Sequence, residues 1–90
     1  MTAKRVDANQ SEIVAALRKF GASVWDTHEI GHGPDIIVGW SGKVFCMEIK
    51  TEEGTLTPSE KKFRESWRGN YYVIRSIEDA LQVLCDAVEE

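Results

Sequence analysis

Cysteine is scarce in this chain: Cys46 and Cys85 are the only two, and no CxxC spacing joins them. A disulfide framework is therefore not expected, and a reducing compartment fits. The opening segment, MTAKRVDANQ, lacks the apolar stretch of a signal peptide. No run approaches the roughly 18 apolar residues of a membrane span. A cytoplasmic protein without membrane attachment is expected. His28, His32, Cys46 and Cys85 fit no compact zinc-ligand pattern. Internal repeats, low-complexity segments and linkers are also lacking.

Positive charge is in short supply as well. The net charge of −4 argues against a strongly basic nucleic-acid footprint. Its distribution softens the objection. Residues 76–90 carry five acids (Glu78, Asp79, Asp86, Glu89 and Glu90) and no base, so residues 1–75 hold 11 basic and 10 acidic side chains. A side that faces phosphate remains open to the chain.

What is present is a single domain over residues 1–90, with 42% hydrophobic and 29% charged residues. So small a domain buries a modest core, and pairing with a second copy would add buried area. Ile13, Val14, Leu17 and Phe20 fall at helical spacing over residues 10–20, and Gly21 ends that helix. A weak strand follows over 22–28, then a loop at 31–34. Residues 35–40 and 43–50 read as two strands joined by Ser41-Gly42, a hairpin signal. Thr57-Pro58-Ser59-Glu60 carries a cap, a first-turn proline and a capping box, so a helix is expected to run to about Arg68 and stop at Gly69. A short strand at 71–75 follows. Ser76 then caps a last helix with Ala80, Leu81, Leu84 and Val88 on its apolar side. The order α-β-β-β-α-β-α implies an α/β fold with a mixed four-stranded sheet flanked by helices. The fourth strand should lie parallel to the third.

A two-residue turn at Ser41-Gly42 fixes the hairpin register. Trp40 then pairs with Lys43, Val38 with Phe45, Ile36 with Met47, and Asp35 with Glu48. Opposed residues share a sheet face, and Lys50 joins Asp35 and Glu48 there by strand periodicity. Ile36, Val38, Phe45, Met47 and Ile49 take the core face. Two opposed acids destabilise a sheet pair unless something neutralises them. A divalent cation such as Mg²⁺ or Mn²⁺, with hard oxygen ligands, is the simplest remedy. Such an ion beside a lysine suits phosphodiester hydrolysis.

Pro34-Asp35 followed by Glu48-Ile49-Lys50 resembles the PD-(D/E)xK nuclease superfamily, whose restriction-endonuclease-like core has a similar element order. More narrowly, GHGPDIIVGW, VFCMEIKTEEGTLTPSE and WRGNYYVIRS together resemble the virus-type replication-repair nuclease family, VRR-NUC, over about residues 10–81. The resemblance implies a metal held by Asp35, Glu48 and the main-chain carbonyl of Ile49, a catalytic Lys50, and Glu12 as a further member of the acidic site. It implies a phage or bacterial homodimer acting on branched DNA, including four-way (Holliday) junctions. A duplex nickase or restriction-like enzyme, or a catalytically silent binding module on the same scaffold, are the alternatives. Related sequences often carry Gln where this chain has Glu60, which is either a helix cap or an extra acid near the site.

Other residues keep two readings. Glu12 could instead close a capping box with Asn9. His32 and Gly33 could approach DNA, or form an ordinary loop. Lys61, Lys62, Arg64 and Arg68 could meet phosphates, or form a solvated helical face. Thr51 could hydrogen-bond near the site, whereas Glu52 and Glu53 read as loop acids. Trp25, Trp40 and Trp67 read as core or dimer-interface residues before base-stacking platforms.

Overall fold

The computed structural model describes residues 2–27 and 33–88. Its elements are α1 (Thr2–Phe20), β1 (Ser23–Asp26), β2 (Ile36–Trp40), β3 (Lys43–Ile49), α2 (Pro58–Ser66), β4 (Asn70–Ile74) and α3 (Ile77–Val88). The sheet order is β1-β2-β3-β4, antiparallel except for the parallel β3–β4 pair. This is the α/β order and mixed sheet that the sequence pattern implies. No helix among the described residues is long and apolar enough to cross a membrane.

The hairpin register is the expected one as far as the pairing runs, with Trp40 opposite Lys43, Val38 opposite Phe45 and Ile36 opposite Met47; the ladder ends at Ile36, so the expected Asp35–Glu48 pair lies beyond it. Its turn places Ser41 at φ 53° and Gly42 at φ 77°. Positive φ at both central positions matches the right-handed twist of the flanking strands. Alternation then separates the two faces. Ile36, Val38, Phe45, Met47, Ile49 and Ile74 are all buried on one face, with Ile13, Val14 and Leu17 of α1 and Ala80, Leu84 and Ala87 of α3 against them. On the opposite face α2 lies over the Tyr71 side, its Phe63 ring 5.8 Å from that of Tyr71, while Trp25 and Val44 on that face are exposed.

Three boundaries differ from the sequence reading. α1 begins at Thr2, so Asn9 lies inside the helix and cannot cap it. Consequently the capping-box alternative for Glu12 falls away. α2 stops at Ser66, where Trp67 turns extended (φ −80°, ψ 129°), ahead of Gly69. Gly69 answers a different need: a Cβ there would sit 2.9 Å from Trp67 Nε1. β4 occupies Asn70–Ile74, one residue earlier than expected.

Ser41 holds a conformation that Asn adopts more readily than Ser. Ser41→Asn should therefore stabilise the fold by roughly 0.5 kcal/mol, read as a Tm rise of about 2–4 °C. An unchanged or lowered Tm would mean the turn does not hold the register.

Candidate functional site

Beyond the last paired residues of the hairpin, Asp35 continues β2 toward β3. Asp35 Oδ2 accepts a hydrogen bond from Ile49 N–H at 2.8 Å. Thr27 fixes the approach to Asp35: its hydroxyl donates to Pro34 O at 2.6 Å and its N–H to Asp35 O at 3.1 Å. Gly33, at φ 93°, makes the turn that leads in. Glu48 is 1% exposed. Tyr71 reaches it from β4, with the hydroxyl donating to Glu48 Oε1 at 3.2 Å.

Burial first, then the hydrogen bond and charge of Asp35, push the Glu48 carboxyl up to about 8. Charge from Glu60 adds to this, while the Tyr71 hydroxyl opposes it. Burial and a neighbouring like charge both favour the protonated form of Glu48. Tyr71 is raised in turn, by burial and then by Glu48.

Lys50 lies just past β3. Its Nζ sits 2.7 Å from Glu60 Oε1. The same oxygen accepts from Thr57 N–H at 2.8 Å, closing the capping box of α2 with Glu60 N–H donating to Thr57 Oγ1 at 3.2 Å. Burial alone would raise Glu60. The Lys50 ammonium and the Thr57 N–H outweigh it and hold Glu60 below the usual carboxylate range. Cap and extra acid near the site are thus both true of Glu60.

Asp35, Glu48 and Glu60 border a cleft of about 620 Å³, whereas Lys50 and Tyr71 are not among its lining residues. Asp35 and Glu48 form its floor, Thr27, Gly33 and Pro34 one wall, and Glu60, Lys62 and Phe63 of α2 the other. Of the basic residues expected at phosphate, Lys62 lines the cleft. Lys61, Arg64 and Arg68 are exposed on or just beyond α2 and are not among its lining residues. Glu12 is exposed on α1 and does not line the cleft. His32 lies outside the described residues. Trp25 is 61% exposed and is not a core residue. Trp67 is exposed and stacks on Phe63, while Trp40 packs against Phe20.

Sequence reasoning missed three contributors. Tyr71 looked like an ordinary strand residue, although the parallel pairing of Cys46 with Tyr71 sets it on the Glu48 face. Thr27 carried no motif. Asn9, read as a cap, instead donates from Nδ2 to Lys50 O at 3.4 Å.

Among the described residues, no group of three or more His, Cys, Asp or Glu side chains is placed to hold a metal ion. The donors at hand are the Asp35 and Glu48 carboxylates with the neighbouring main chain. Hard oxygens from two acids, completed by water, fit Mg²⁺ or Mn²⁺, and a cation would offset the burial and charge that disfavour ionised Glu48. No family model, curated protein or solved structure matches the chain.

The raised Glu48 has a consequence for stability in the absence of metal. Its ordinary value is near 4.5 and its folded value about 8, so the folded state binds the proton more tightly. The stability it contributes is complete below pH 4.5 and is lost as pH rises to about 8. In EDTA, wild type should lose Tm relative to Glu48→Gln across that window. Parallel curves for the two proteins would show that Glu48 ionises normally.

Proposed function

We propose that the protein is a metal-dependent endonuclease of the PD-(D/E)xK type, similar to the VRR-NUC family, that hydrolyses phosphodiesters in branched DNA such as four-way junctions. The single observation that carries this reading is the Asp35–Glu48 carboxyl pair on the floor of a cleft, with Lys50 tied to its wall through Glu60. Asp35, Glu48 and the Ile49 carbonyl would hold Mg²⁺ or Mn²⁺. Bound there, the ion supplies Lewis acidity toward a phosphoryl oxygen and a more acidic water.

The chain's own groups do the rest. The Ile49 N–H orients Asp35, and the Tyr71 hydroxyl orients Glu48, so neither carboxylate must reorganise when substrate arrives. Lys50, carboxylate-paired in the free protein, is presented as a hydrogen-bond donor. That favours a role in orienting water or stabilising phosphate charge over one as a base. Lys62 offers a contact for the flanking backbone. Homodimerisation is part of the proposal: a two-fold junction calls for two sites. Exposed Trp25 and Val44 share a sheet face and offer apolar surface for it. One observation favours a second reading, a silent binding module: Glu60 already occupies the Lys50 ammonium.

Two measurements decide between them. Millimolar Mg²⁺ or Mn²⁺ should stabilise wild type but not Asp35→Ala, by about 2.7 kcal/mol at one hundred times Kd, read as a rise in Tm. Labelled four-way junction should be cut faster than flap, splayed or plain duplex DNA, and Lys50→Ala should cut it roughly a hundredfold more slowly. Equal cutting of every substrate would remove the junction preference. Binding without cutting under all conditions would establish the silent module.

A further inference from the structure

Lys50 stands at the head of a loop that returns to it. Residues 51–57 lead from β3 to α2, and Glu60 in the first turn of α2 pairs back to Lys50 Nζ. A flexible side chain at the mouth of such a loop is placed only as well as the loop is held. Within residues 51–56, the local hydrogen bond is Gly54 N–H to Thr51 O at 3.1 Å, a tight turn in which a Cβ at Gly54 would meet Thr51 Oγ1 at 3.2 Å.

The hold comes from far along the chain. Arg75 Nη1 donates to Gly54 O at 2.6 Å and to Thr51 O at 2.7 Å, with Glu52 O at 3.3 Å. The two hydrogens of that nitrogen match the two short contacts, and Glu52 O shares them. Arg75 is itself rooted: it follows the buried Ile74, and its N–H donates to Asp79 Oδ2 at 2.9 Å at the start of α3. Meanwhile the Lys50 main chain is tied on both sides, by its N–H to Ile74 O at 2.9 Å and its carbonyl to Asn9 Nδ2. Adjacent residues of one strand end, Ile74 and Arg75, thus hold Lys50 and the loop that follows it.

We propose that Arg75 is a positioning residue for Lys50: by gathering the carbonyls of Thr51, Glu52 and Gly54 it fixes the 50–60 loop and so the place of the Lys50 ammonium. Its catalytic consequence rests on the nuclease reading above. The guanidinium is spent on main-chain carbonyls, so its contribution is geometric and not a contact with substrate. Misplacement of a reacting group by about 1 Å can cost on the order of a hundredfold in rate.

The test has a kinetic arm and an arm that needs no activity. With junction DNA and Mg²⁺, Arg75→Ala should lower kcat roughly a hundredfold while KM stays within about twofold. Millimolar guanidinium should restore much of the loss, with urea or NaCl at equal concentration ineffective. Arg75→Lys, which keeps the charge and a shorter donor, should fall between. A kcat within about twofold of wild type, or a KM effect with kcat unchanged, overturns the proposal. In amide hydrogen exchange, protection at Gly54 should drop in Arg75→Ala and return with guanidinium. Unchanged protection overturns the proposal too. If wild type cuts no DNA, the nuclease reading fails by itself, and exchange at Gly54 still decides whether Arg75 holds the loop.

Discussion

A carboxyl with 1% of its surface exposed, as at Glu48, needs a proton, a cation or several donors to remain where it is. Much of the surrounding architecture supplies or arranges those partners. The hairpin brings Asp35 to the same end of the sheet, where its charge acts on Glu48. The β3–α2–β4 crossover makes β4 parallel to β3 and puts Tyr71 on the Glu48 face, where its hydroxyl can donate. Phe63 of α2 then packs on the Tyr71 ring. A one-residue slip of the hairpin would turn Glu48 into the apolar layer of Ile13, Leu17 and Leu84, where none of these partners exists. Site and register are thus the same constraint viewed from two sides.

Charge follows the same division into faces. The chain carries a net −4, yet the acids of its C-terminal segment and its basic helix are not mixed. Glu78, Asp79 and Asp86 belong to α3, which packs on the core face with α1. Lys61, Lys62 and Arg64 belong to α2, on the cleft side. A single sheet thus stands between the acidic helix and the cleft. A screening length of about 8 Å at physiological ionic strength weakens interactions across it. The cleft lining itself carries Asp35, Glu48 and Glu60 against Lys62.

Local signals in the sequence carried further than long-range ones. The Ser41-Gly42 turn and the period-two alternation defined the hairpin and its core face, because both depend on adjacent residues. Thr57 and Glu60 announced the start of α2 for the same reason. The beginning of α1 was hidden because residues 2–9 offer no stop signal and the Asn9–Glu12 spacing imitates a start. Gly69 imitated a helix stop, while its need comes from the neighbouring Trp67 indole. Arg75, more than 20 residues from the carbonyls it binds, left no local trace. The hairpin was legible as a register that sets Asp35 and Glu48 at one end of the sheet, whereas Thr27, Asn9, Tyr71 and Arg75 depend on tertiary packing.

Glu60 joins these two kinds of information. As a capping residue it is dictated by four consecutive positions; as the partner of Lys50 it depends on where the β3–α2 loop returns. One oxygen, Oε1, serves both, accepting from Thr57 N–H and from Lys50 Nζ. The N-terminus of α2 and the lysine ammonium are therefore mechanically coupled: moving one strains the other's hydrogen bond. A phosphate entering the cleft would compete with Glu60 for the same ammonium. If Lys50 swung to phosphate, Thr57 would still hold Glu60, so the carboxylate need not follow it into the cleft. On the proposed function, the cap would thus keep an acid beside the lysine without making that acid its permanent partner.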